Sequence, residues 1–132
     1  MLMQNLIKES LRNTTIKYKK MKEIKAFIKP IKLEKVVHAL KENDFESVTL
    51  SECEGTGAFK RQDSLPSLKF HFADSKMIKL ELVCQNEEAQ KAIEIICGNA
   101  VTPYPADGII YISDINDAFS IKTCDSLKRF KP

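Results

Sequence analysis

The sequence predicts an α+β sandwich in which strands and helices follow in the order β-α-β-β-α-β, both helices lying on one face of an antiparallel sheet. Three observations predict it. Residues 22–29 alternate apolar and polar side chains, as a half-buried strand does. Leu33, Val36, Val37 and Leu40 recur at helical spacing directly after Pro30. The same strand, helix, strand order then returns beyond a turn-rich stretch at 58–67.

In the first strand Ile24, Ala26 and Ile28 alternate with Glu23, Lys25 and Phe27, and Pro30 ends it because proline donates nothing to a ladder. The first helix runs over about 32–43, its far side covered by Lys32, Glu34, Lys35 and Lys41, and Asn43-Asp44 close it. A second strand spans Glu46–Glu54 and leads into Gly55-Thr56-Gly57. Residues 58–67 have no period and several turn formers, so a mobile loop is expected over about 57–75. Ile78, Leu80 and Leu82 place the third strand at 76–84, with 68–72 as its extension or the far arm of the loop. Asn86 is the expected N-cap of the second helix, with Glu87 and Glu88 where the helix dipole favours acids. Ala89, Ala92, Ile93 and Ile96 form its inner stripe, and Gly98 is the expected stop. Ile109–Ile115 is apolar on both faces and reads as a buried strand, after which Ala118–Lys122 adds a short edge strand. This order is the ferredoxin-like arrangement. Its uncovered sheet face carries Phe27 and part of strand 109–115, more apolar surface than a monomer exposes comfortably, so an oligomer is expected.

The 132 residues fit one domain at 21–132, preceded by an extension at 1–20 that reads as a short helix or a disordered basic arm. The chain has a net charge of +3; within residues 1–20, five cations (Lys8, Arg12, Lys17, Lys19, Lys20) against Glu9 give +4, so the remainder carries −1. A near-neutral domain argues against a nucleic-acid footprint. Met21 stands immediately before the first strand and could serve as an alternative start. Cys53, Cys84, Cys97 and Cys124 form no CxxC pair, and Lys8 and Glu9 interrupt the apolar stretch a secretory signal would need. A reduced cytoplasmic setting with four buried structural thiols is expected, Cys124 being the one held out as reactive. His38 and His71 lack ligating neighbours, so no metal site is expected. No nucleophile elbow, Walker loop or dinucleotide fingerprint occurs, and an enzyme is not expected.

Lys22-Glu-Ile-Lys-Ala-Phe-Ile-Lys-Pro-Ile-Lys-Leu33 resembles the N-terminus of the PII nitrogen regulatory proteins. The resemblance continues through Val48-Thr-Leu-Ser-Glu-Cys-Glu-Gly-Thr-Gly57, Met77-Ile-Lys-Leu-Glu-Leu82 and Asp107-Gly-Ile-Ile-Tyr-Ile112, in order from residue 21 to about residue 123. It implies a homotrimer with three inter-subunit clefts that bind adenine nucleotides, and a T-loop that docks on a membrane transporter or metabolic enzyme. The candidate ligand contacts are Thr49, Gly55, Gly57, Thr102, Tyr104, Asp107, Gly108 and Lys122. Gly55 and Gly57 suit close backbone approach to an anion, or simply a turn into the loop. Tyr104, between Pro103 and Pro105, could stack on an adenine, or the prolines could merely stiffen the loop. Lys60 and Arg61 are the candidate partner contacts in the T-loop, against the plainer reading of a solvated face.

The chain also departs from the family pattern. Ala58-Phe59 replace Arg-Gln, and Thr102-Pro-Tyr-Pro-Ala-Asp-Gly-Ile109 replaces a loop that ordinarily carries two more glycines and a lysine. Ser120 replaces one of two C-terminal arginines, with Lys122 in the place of the other. Each lost charge-assisted phosphate contact is worth roughly 1.5–3 kcal/mol, so AMP, ADP or cyclic AMP fits better than ATP. No tyrosine stands between Tyr18 and Tyr104, which excludes uridylylation of the usual T-loop tyrosine. The run into Gly108-Ile-Ile-Tyr-Ile112 is similar to divergent PII-like proteins tied to bicarbonate uptake and carboxysomes, so an inorganic-carbon role stands beside a nitrogen one. The alternative is a degenerate ferredoxin-like trimer without nucleotide binding, acting as a metal-responsive or scaffolding module.

Overall fold

The computed structural model of the chain describes residues 17–18, 20–56, 75–127 and 129–130. The expected loop at 57–75 and the extension at 1–16 therefore lie outside the described residues, apart from Ser75. Among the described residues the elements are β1 (Lys17–Tyr18), β2 (Met21–Ile28), α1 (Leu33–Glu42), β3 (Thr49–Gly55), β4 (Ser75–Gln85), α2 (Asn86–Ala100), β5 (Gly108–Ile115) and β6 (Arg129–Phe130). A single 3₁₀ turn, Pro30–Lys32, joins β2 to α1; proline is tolerated there because the first helical N–H has no partner to lose.

The main sheet is antiparallel throughout, in the order β3-β4-β2-β5, as a ferredoxin-like sandwich requires. Register sorts its two faces. Ile24, Ala26 and Ile28 stand beside Leu82, Leu80 and Ile78 of β4, and this row packs on the helices. Val36 and Leu40 of α1 and Ala89, Ala92 and Ile96 of α2 close the core from above. The alanines let α2 lie close to the sheet and to α1. The first helix ends in a Schellman pattern: Phe45 N–H donates to Leu40 C=O at 2.9 Å and Asp44 N–H to Lys41 C=O at 3.2 Å. Asp44 takes the left-handed conformation this requires (φ 68°), and Phe45 and Leu40 are both buried in the core.

The other sheet face is covered only in part: Met77 is buried there, whereas Ile109 and Tyr111 are exposed. Phe27 and Tyr111 meet there edge to face with centroids 5.8 Å apart, beside Ile109. Lys79–Glu81 (3.1 Å) and Lys25–Glu23 (3.7 Å) ion pairs lie on the same face.

Several expectations are corrected. Strand 109–115 is not buried: β5 is a sheet edge, and Ile109, Tyr111 and Ile112 are exposed. Gly98 does not stop the second helix, which continues to Ala100 and is closed by Val101 N–H on Cys97 C=O at 3.1 Å. Asn86 is the first helical residue and Gln85 the N-cap, without a side-chain cap bond. The second strand begins at Thr49, not Glu46. Ala118–Lys122 forms no strand; Phe119 makes one isolated bridge to Ser126 around a turn. Of the four thiols only Cys84 is buried; Cys53 is half-buried, and Cys97 and Cys124 are exposed. Burial pushes the Cys84 and Cys53 thiols up from the ordinary range.

Two glycines give opposite predictions. Gly108 has φ +127°, and a Cβ there would stand 1.8 Å from Phe27 carbonyl oxygen, so Gly108→Ala should cost more than about 2 kcal/mol in chemical denaturation. Gly98 lies within α2, where an added Cβ would meet nothing within 4 Å, so Gly98→Ala should stabilise by about 0.5–1 kcal/mol. Equal responses would contradict these assignments.

Candidate functional site

Between α2 and β5 the chain makes the loop 101–107, and its geometry is set by one lysine. Lys29, at the end of β2, turns its side chain into the loop, where only 8% of it remains exposed. Its Nζ lies 3.1 Å from Asp107 Oδ1, 3.2 Å from Pro105 C=O and 3.3 Å from Thr102 Oγ1. A buried ammonium is costly unless paired and hydrogen-bonded, and these three oxygens meet that requirement.

Asp107 completes the closure. Its Oδ2 accepts from Thr102 N–H at 2.9 Å and its Oδ1 from the Thr102 hydroxyl at 2.5 Å. Thr102 Oγ1 in turn accepts from Tyr104 N–H at 3.1 Å. The Thr102 hydroxyl and amide, aided by Lys29, hold the Asp107 carboxyl below its usual range. Ala106 takes φ 62° to bring Asp107 back over Thr102, and Gly108 then packs directly on Phe27 to start β5. The N–H groups of Thr102 and Tyr104 are thus spent inside the loop, while Pro103 and Pro105 have none to offer.

Beside this loop an open groove of about 540 Å³ runs between the end of α2 and the start of β5. Ile93, Ile96, Cys97 and Val101 form one wall, and Phe27 with Gly108–Ile110 the other; Asp107 is the acidic group on its rim.

The sequence-predicted residues fall into separate places. Thr102, Tyr104, Asp107 and Gly108 come together in this loop, with Tyr104 exposed. Gly55 pairs with Ser75 at the same end of the sheet but on the opposite edge strand. Thr49 begins that edge strand and lies near Glu81 and Val83. Lys122 sits in the exposed turn after β5, beyond the Met21–Ile115 end of the sheet. At about 3.3 Å per residue, the length of β5 puts roughly 23 Å between that end and Gly108. Among the described residues, Thr49, Gly55 and the loop 102–108 thus lie at separate places on one chain. Gly57, Lys60 and Arg61 lie outside the described residues. Among the described residues, no group of three or more histidine, cysteine or acidic side chains is placed to hold a metal.

Sequence reasoning misses Lys29. A lysine ending an amphipathic strand reads as a solvated residue, and the only signal is indirect: Thr102 and Asp107, five residues apart, need a cation to fold against.

The two partners are buried unequally, 8% of the Lys29 side chain and 26% of the Asp107 side chain being exposed. Asp107→Ala strands the buried ammonium and should cost about 3–5 kcal/mol, whereas Lys29→Met leaves a partly solvated carboxylate and should cost about 1–2 kcal/mol. Because folding depresses the Asp107 pKa, its contribution is complete above the unfolded carboxyl pKa and is lost as pH falls through the lower folded value. Urea midpoints in wild type should therefore drop more steeply below about pH 4 than those of Asp107→Asn; parallel pH profiles would contradict the assignment.

Residues 21–125 match the family described as nitrogen regulatory protein P-II. A nitrogen regulatory protein P-II of Bradyrhizobium diazoefficiens is 35% identical over 107 residues, 80% of this chain and 96% of that one. One from Rhodobacter capsulatus is 36% identical over 104 residues, 78% of this chain and 93% of its own. Among solved structures, Arabidopsis thaliana PII bound to citrate superposes with a TM-score of 0.67 at 22% identity, covering 82% of this chain and 89% of that one, a likeness of fold. The sheet order, the two helices and the extent of these matches place this chain in the nitrogen regulatory protein P-II family of signalling proteins.

Proposed function

We propose that the protein is a homotrimeric cytoplasmic sensor that binds a small effector at clefts between subunits and regulates a transporter or metabolic enzyme through the loop at 57–75. The observation that carries this reading is the scattering of the expected contact residues over one chain. Thr102, Asp107 and Gly108 lie at one end of β5 and Lys122 follows its other end, an arrangement in which a second copy would bring its Lys122 beside Gly108. The sheet face opposite the helices supports it, since Phe27, Ile109 and Tyr111 would be buried by association.

The effector we favour is an adenine nucleotide of low charge: AMP, ADP or cyclic AMP before ATP. The loop 101–107 has spent the amides of Thr102 and Tyr104 on itself, and its lysine is already paired with Asp107. It offers little to a triphosphate, while the groove alongside is apolar enough for a planar base. The pathway served would be nitrogen or inorganic-carbon metabolism.

Titration calorimetry tests this. AMP, ADP or cyclic AMP should bind saturably, with ATP at least tenfold weaker, and Lys122→Ala should weaken the bound nucleotide by about five- to twentyfold through loss of one charge-assisted contact. Absence of any adenylate binding, or ATP as the tightest ligand, would refute the reading.

A further inference from the structure

Two segments of the chain fall outside the 21–125 family match, and they pair with each other. Lys17–Tyr18 of β1 lies antiparallel to Arg129–Phe130 of β6, with Lys17 opposite Phe130 and Tyr18 opposite Arg129. This ribbon is separate from the main sheet. We propose that it is a clasp, added to the family core, by which the N-terminal extension sets the order of the C-terminal hairpin.

Only Lys19 and Lys20 separate β1 from β2, and Lys20 C=O accepts from Asn86 N–H at 2.9 Å, which fixes the start of β2 against the first residue of α2. Met21, the first residue of β2, pairs with Ile115, the last of β5. The chain then leaves the sheet at Asn116 and returns at Arg129 to pair with Tyr18. Both ends of the excursion 116–128 are thus pinned to residues 17–21: one through β5, one through the ribbon.

The excursion holds a compact hairpin. Ser120 N–H donates to Asp125 C=O at 3.0 Å, Cys124 N–H to Ser120 C=O at 2.7 Å and Leu127 N–H to Ala118 C=O at 2.7 Å. The Ser126 hydroxyl donates to Asp117 Oδ1 at 2.6 Å, and the same oxygen accepts Ala118 N–H at 2.8 Å. Little of this hairpin is buried: Phe119 and Leu127 are exposed and Ile121 is 97% exposed. With so little burial to hold it, its order depends on closure of the loop at both ends. Opening the ribbon frees the Arg129 end of the excursion, and the closure entropy already spent at the base is released. An event that draws the extension away from β6 would therefore loosen the segment that carries Lys122 and Cys124. The inference concerns the hairpin itself and does not depend on what the protein binds.

Hydrogen exchange of the full chain, read residue by residue by NMR, tests it. In a two-residue antiparallel pair alternate positions carry the ladder bonds, so the double variant Lys17→Pro/Tyr18→Pro removes the donor whichever position uses it. The amides of Ser120, Cys124 and Leu127 should exchange about tenfold faster or more in this variant, with Ile24, Ala26 and Leu80 unchanged. Arg129→Pro/Phe130→Pro should give the same pattern from the other strand, and Lys17→Val/Tyr18→Val should behave as wild type. Unchanged hairpin exchange in both proline variants, hairpin amides already unprotected in wild type, or acceleration spread equally over β2 and β4 would each overturn the clasp.

Discussion

The structure around the candidate site depends on the burial of one ammonium group. Lys29 leaves β2 at the point where the sheet ends, and its charge sits where water scarcely reaches. Three oxygens from the loop 101–107 must come to it, because an uncompensated charge in that position would cost several kcal/mol. That demand folds the loop. Asp107 is drawn inward, Thr102 bridges to it by amide and hydroxyl, Ala106 accepts a left-handed backbone, and Gly108 is pressed onto Phe27 as β5 begins. The same polar groups then have little left for a ligand. This self-satisfied loop is the ground on which a low-charge adenylate is proposed above.

The sheet carries the second constraint. On its helix face Ile24, Ala26, Leu80 and Leu82 are sealed beneath the two helices, while Leu50 and Ile112 of the edge strands stay exposed. Its other face joins Phe27 and Tyr111 to two ion pairs and leaves Ile109 and Tyr111 exposed. The proposed trimer would bury the apolar part of this face against further copies of the chain and bring residues from different copies together.

Much of this is legible in the sequence where a core enforces a periodicity. The alternation at 22–29 and the helical spacing from Leu33 to Leu40 mark elements that the structure places within a residue or two, because burial on one face leaves no freedom of register. Strand 109–115 reads as buried, and wrongly, for a physical reason: apolar side chains on both faces of an edge strand look the same as those of a central one until the sheet order is known. Gly98 misleads as a stop because glycine signals a helix end only where the chain must turn left-handed, and here α2 continues through it. Lys29 escapes notice because its partners lie more than seventy residues away, and no local pattern reports a contact of that range. The ribbon of β1 with β6 escapes for the same reason, being a pairing of the two chain ends.

The central claim is that one chain holds only part of a site which copies of it complete. Sedimentation equilibrium of the full chain at micromolar concentration measures this directly. The account predicts a particle three times the mass of the 15.0 kDa chain, reduced to one chain by Tyr111→Glu on the face opposite the helices. A wild-type protein that sediments at the mass of a single chain would contradict it.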